Sequence, residues 1–108
     1  MQIPREQNVI HAGGGSKTIL LNPEYAFTQV SITGRNTGTI TPLARPVLTA
    51  NELADFNDTE FESVIDGDVD LTGIQKTFTI ENKKMTALKM VDGGSGSVTF
   101  VINQWGRI

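Results

Sequence analysis

Ala26-Phe27-Thr28-Gln29-Val30-Ser31-Ile32-Thr33 decides the fold class of this chain. Successive side chains of an extended backbone point to opposite faces, so Ala26, Thr28, Val30 and Ile32 share one face and Phe27, Gln29, Ser31 and Thr33 the other. Ser97–Gln104 repeats the pattern, with Val98, Phe100 and Ile102 alternating with Thr99, Val101 and Asn103. Both stretches are rich in the branched and aromatic side chains that fit a pleated, half-buried surface.

The neighbouring segments read as further strands. After Thr33, the run Gly34-Arg35-Asn36-Thr37-Gly38 is expected to turn the chain into Thr39–Leu43, making a hairpin with Ala26–Thr33. Pro42 has no N–H to give a ladder, which implies an edge position or a bulge. On the other side, Val9–Ala12 and Thr18–Leu21 flank Gly13-Gly14-Gly15-Ser16 and are expected to form a first hairpin that ends at Asn22-Pro23. Within Arg45–Asp58 the period of two lapses, and Thr49-Ala50-Asn51-Glu52 fits a capping box for one or two helical turns. Phe61–Ile65 and Asp68–Leu71 flank Asp66-Gly67, the signal of a tight hairpin. Lys76–Glu81 and Met85–Val91 follow, and Asp92-Gly93-Gly94-Ser95-Gly96 leads into the last strand. The expected fold is all-β, an antiparallel β-sandwich or barrel of about eight short strands with at most one short helix. Residues 1–8 are polar and read as an N-terminal arm, and residues 9–108 read as a single β domain, since 108 residues support one core and not two.

Composition narrows the function classes. The net charge of −3 and the scattered Lys and Arg argue against a sequence-independent grip on nucleic acid, which needs clustered cations. No stretch reaches the ~18 apolar residues of a membrane helix, and the polar start is not a signal peptide, so a soluble chain made in the cytoplasm is expected. With no cysteine, stability must come from the core or from contacts with other subunits.

Four constellations bear on chemistry. Ala12–Thr18 superficially suggests a phosphate loop, but Ser16 stands before Lys17 where Gly is needed, and Thr18–Pro23 cannot continue as a helix. Asp66, Asp68 and Asp70 alternate and could offer oxygen ligands to Ca²⁺, although the sequence runs straight on into a strand without a distal bidentate Glu. A solvated acidic edge that discourages edge-to-edge pairing is the simpler reading. His11 is the sole histidine, no nucleophile-elbow pattern surrounds any serine, and His11 is expected at a surface or interface. Tyr25 and Trp105 are the aromatics suited to stacking on a sugar, but Trp105 is expected to cover the bottom of the sandwich. No residue is therefore assigned a catalytic, cofactor or metal role, and the chain is expected not to be an enzyme.

Phe61-Glu62-Ser63-Val64-Ile65-Asp66-Gly67-Asp68-Val69-Asp70-Leu71, followed by Thr77–Glu81 and by Ser97–Trp105, resembles a group of small β-rich virion proteins of tailed bacteriophages. That group shares Phe-Glu-x-Val, a Gly turn, Ile/Val-Asp-Leu, a Thr-Ile strand, and a Gly-rich turn before a final Val/Thr strand. Gly38–Pro46 matches more loosely, and Thr49–Asp58 is a longer insertion than the pattern holds. The resemblance implies a structural role in the virion. The expected role is a capsid decoration (cement) protein that binds the major capsid protein as a homo-oligomer, with a trimer favoured, or a head or tail accessory protein. It carries over no catalytic residue. The alternative from another class is a glycan- or calcium-binding adhesion module.

Overall fold

The computed structural model describes residues 5–45, 62–65, 67–74, 76–81 and 87–107. Among them run nine strands: β1 (Glu6–His11), β2 (Gly15–Leu20), β3 (Tyr25–Thr33), β4 (Thr39–Arg45), β5 (Glu62–Ser63), β6 (Val69–Asp70), β7 (Thr77–Glu81), β8 (Ala87–Asp92) and β9 (Val98–Arg107). One sheet, here sheet A, has the order β1-β9-β3-β7; the other, sheet B, has the order β2-β8-β4-β5, with β6 also on β4. All pairings are antiparallel. The all-β expectation holds, and the described residues contain no helix. Residues 1–4 and the capping-box segment at 49–52 lie outside the described residues.

The two strands that decide the fold class are neighbours at the centre of sheet A. Val30 pairs with Ile102 and Ile32 with Phe100, and all four side chains are buried. Sheet B answers with Ile40, Leu88 and Met90 from β4 and β8, and with Ile19 from β2. Leu21 and Leu71, just beyond β2 and β6, close the core.

The connectivity departs from the expected hairpins. β1 lies in sheet A and β2 in sheet B, so Gly13–Gly15 carries the chain from one sheet to the other and forms no first hairpin. Gly34–Gly38 does the same between β3 and β4, and 93–97 between β8 and β9. A Gly-rich turn signals a reversal of direction, but whether the returning strand pairs or stacks is set by which apolar faces need covering. β1 also begins at Glu6, so Glu6–Asn8 of the expected arm pair with β9.

Asp66-Gly67 makes no tight hairpin either. β5 pairs with Leu43 and Ala44, β6 pairs with Thr39 and Ile40, and the two strands lie end to end along one edge of β4. They form one edge whose pairing with β4 is interrupted between Ser63 and Val69. The Gly93 N–H donates to the Thr39 carbonyl and the Leu71 N–H to the Gly38 carbonyl, so by ladder alternation the nitrogen of Pro42 faces this edge strand. β4 lies between β8 and the β5–β6 edge, so Pro42 is not on an edge strand; its missing N–H falls where pairing with β5 and β6 is interrupted.

Candidate functional site

At one end of the sandwich the three Gly-rich crossings meet around Asp92, the last residue of β8. Its carboxylate is buried and accepts four hydrogen bonds. Arg35 gives two, Nη2 to Oδ1 at 2.6 Å and Nη1 to Oδ2 at 2.9 Å. The amides of Gly94 and Gly14 give the others, at 2.8 and 3.3 Å. Arg35 also donates from Nε to the Thr37 carbonyl and from Nη1 to the Gly96 carbonyl. A planar guanidinium suits this work because its fork meets a carboxylate in two bonds and still reaches backbone oxygens. One ion pair thus ties all three crossings together.

The electrostatics follow from that geometry. Hydrogen bonding from Arg35 is the largest influence on Asp92; burial opposes it, while the Gly94 amide, the Arg35 charge and the Gly14 amide add to it, and the carboxyl is held at about 2. Arg35 is pushed above its ordinary value, first by the same hydrogen bond. Both groups therefore stay ionised across the physiological range, and a carboxylate with four donors has little capacity left to take a proton from a substrate. The pair acts as a structural staple.

His11, expected at a surface or interface, is instead nearly buried beside this staple. Its ring stacks on Phe100 with centroids 6.4 Å apart, and Nε2 lies 3.6 Å from Asp92 Oδ2. That distance is too long for a hydrogen bond, and Nε2 has no hydrogen-bond partner among the described residues.

The opposite end has its own polar anchor. Gln104 is fully buried and accepts from the Asn22 N–H, while its amide nitrogen donates to the Asn22 carbonyl and to Thr28 Oγ1. This holds the β2–β3 crossing against β9.

Of the alternating acidic residues, Asp68 and Asp70 are each engaged by a threonine. Asp68 accepts from Thr41 Oγ1 at 2.6 Å, and Asp70 accepts from the hydroxyl and amide of Thr72 at 2.7 and 3.0 Å, bonds that lower its pKa. Asp66 lies outside the described residues, and among those described no three acidic or imidazole groups come together as a metal site.

The outer face of sheet A is the most distinctive surface. Trp105 does not cover the bottom of the sandwich; it stands on this face directly opposite Phe27, with ring centroids 5.6 Å apart and planes 24° from parallel. Both rings are more than a third exposed, and Tyr25 at the same end is half-buried. Between Glu6 at one edge and Glu81 at the other, the described outward side chains carry no charge; Asn103, Gln29, Val101 and Ser31 occupy the centre. Phe27 missed notice in the sequence because a single apolar residue on the polar face of a strand is ordinary. Its register with Trp105, 78 positions away (105 minus 27), is what makes the pair.

No protein-family model, curated protein or solved structure matches this chain.

Proposed function

We propose that this protein is a non-enzymatic structural component of a tailed-bacteriophage virion, acting as a decoration protein that reinforces the shell by binding the major capsid protein. The resemblance of Phe61–Leu71, Thr77–Glu81 and Ser97–Trp105 to small virion proteins supports the particle. The observation that carries the mode of action is the outer face of sheet A, whose described side chains between Glu6 and Glu81 carry no charge, with its exposed Phe27–Trp105 pair. A solvated sheet face is ordinarily polar and charged, whereas the centre of a protein interface is depleted of charge and enriched in aromatics. Binding of many copies to the assembled state alone would stabilise that state by mass action.

The test is co-sedimentation with shells assembled from tailed-phage major capsid protein. The wild type is expected to pellet with shells. Phe27→Ala with Trp105→Ala is expected to weaken binding at least tenfold, as loss of an aromatic hot spot does. Failure of the wild type to bind shells or tails overturns the reading.

The exposure of Trp105 also favours the adhesion module, since a sugar needs an accessible ring. Against it, Phe27 and Trp105 turn one face of each ring toward the other and present no shared flat platform. Quenching of the single tryptophan by oligosaccharides, together with a large rise in melting temperature in millimolar Ca²⁺, would move the assignment to that class.

A further inference from the structure

β1 is an edge of sheet A with no strand on its outer side among the described residues. The direction of its free main-chain groups follows from one contact. The Gln104 N–H donates to the Arg5 carbonyl at 3.0 Å, which makes Arg5 and Gln104 a hydrogen-bonded pair in line with the β1–β9 register. Such pairs alternate along an antiparallel ladder, so Gln7, Val9 and His11 turn their main-chain groups toward β9. Those of Glu6, Asn8 and Ile10 point off the sheet, and the Ile10 side chain is 72% exposed.

The other edges carry features that discourage pairing. The β5–β6 edge is interrupted and bears Asp68 and Asp70. β2 places Lys17 on the core-facing side opposite Met90, and its Leu20 carbonyl already accepts from the Gln7 side chain. β7 is five residues long and set between Lys76 and Glu81. β1 has no proline, lysine or bulge.

We propose that β1 is a homotypic assembly edge that pairs antiparallel with β1 of a second copy about a two-fold axis through Asn8, joining two sheets into one. The register selects a second copy as the occupant. With Asn8 on Asn8, Glu6 and Ile10 meet Ile10 and Glu6 of the other chain, and all three outward residues bond in about six main-chain hydrogen bonds. A slip of one residue would turn every side chain to the wrong face, and a slip of two would leave one outward residue unpaired. The one acidic side chain of the strand falls opposite Ile10 and not opposite itself, so no like charges meet, and its methylene stem covers the exposed isoleucine. This contact is two-fold, unlike the threefold assembly expected from the resemblance, and it does not rest on the virion reading.

Light scattering against concentration reads the contact directly, and the expected mass rises from 11.7 kDa toward twice that value. Asn8→Pro removes an N–H that points away from β9, so the monomer keeps its ladder and its melting temperature while dimer dissociation is expected to rise at least tenfold. Ile10→Lys, which leaves the backbone unchanged, is expected to do the same and serves if the proline variant fails to fold. The chain has no cysteine, so Asn8→Cys places a single thiol at the axis. Cα atoms of a hydrogen-bonded pair are ~5.5 Å apart, within disulfide range, so oxidation should link two chains far faster than in Ser95→Cys, where the thiol sits on an exposed loop. The proposal is overturned by a strict monomer up to about 1 mM, by an oligomer of any size that both Asn8→Pro and Ile10→Lys leave intact, or by equal cross-linking of the two cysteine variants.

Discussion

Asp92 concentrates the energetics of the corner in one side chain. It is buried, receives a guanidinium in two bonds and caps two amides. Asp92→Asn preserves the shape but turns an amide group toward Arg35 and leaves that cation without a counter-charge, so a loss of about 3–5 kcal/mol in urea unfolding is expected. The pH dependence has a defined sign. The folded carboxyl, at about 2, lies below the 3.8 of an ordinary aspartate, so the protein gains stability from it above pH ~4 and loses that gain as pH falls from ~4 toward 2. Subtracting the Asp92→Asn melting profile from the wild-type profile isolates this contribution. A flat difference between pH 5 and 2 would show that the carboxylate is not held by Arg35. None of this was legible in the sequence, because Arg35 and Asp92 are 57 positions apart and each sits in an ordinary turn motif.

At the scale of the element, the strands were legible and their connections were not. Ala26–Thr33 and Ser97–Gln104 announce themselves by a period of two because one face meets the core, and β3 and β9 occupy those positions. The loops carried no comparable signal. Gly34–Gly38 and Gly13–Gly15 read as hairpin turns because glycine permits tight reversal, yet they serve as corners between sheets. A corner imposes its own demand, which is close approach of backbone to backbone. A Cβ on Gly13 would sit 2.5 Å from the Gly96 carbonyl oxygen, and the residue has a φ of 109°. Gly14 has a φ of 72° but open space around it. Gly13→Ala is therefore expected to cost about 3 kcal/mol or more, since two crossings must part, and Gly14→Ala about 1 kcal/mol, the cost of a left-handed conformation alone. Chemical denaturation of the pair measures the difference, and equal losses would show that the crossings do not pack as closely as the structure places them.

For the whole molecule, the same connectivity governs how the chain folds. Among the described residues, no two strands joined by a short turn pair with each other; β1 and β2, β3 and β4, and β8 and β9 all divide between the sheets. β4 and β5 do pair, but across the long 46–61 segment, and β1 pairs with β9 across nearly the whole chain, Glu6 opposite Asn103. The described strands thus offer no local hairpin to form first, and each of their pairings must close a long loop before it gains any contact, which raises the entropic barrier. Refolding is therefore expected in milliseconds to seconds and not in microseconds. Trp105 is a built-in probe, since it stacks on Phe27 only once β3 and β9 are in register. Stopped-flow fluorescence from this single tryptophan should show one phase that coincides with far-ultraviolet circular dichroism, because sheet and register form together. A microsecond phase that restores the Phe27–Trp105 contact would mean that β3 and β9 meet before the corners close, and would separate the order of folding from the order of the strands in the sheets.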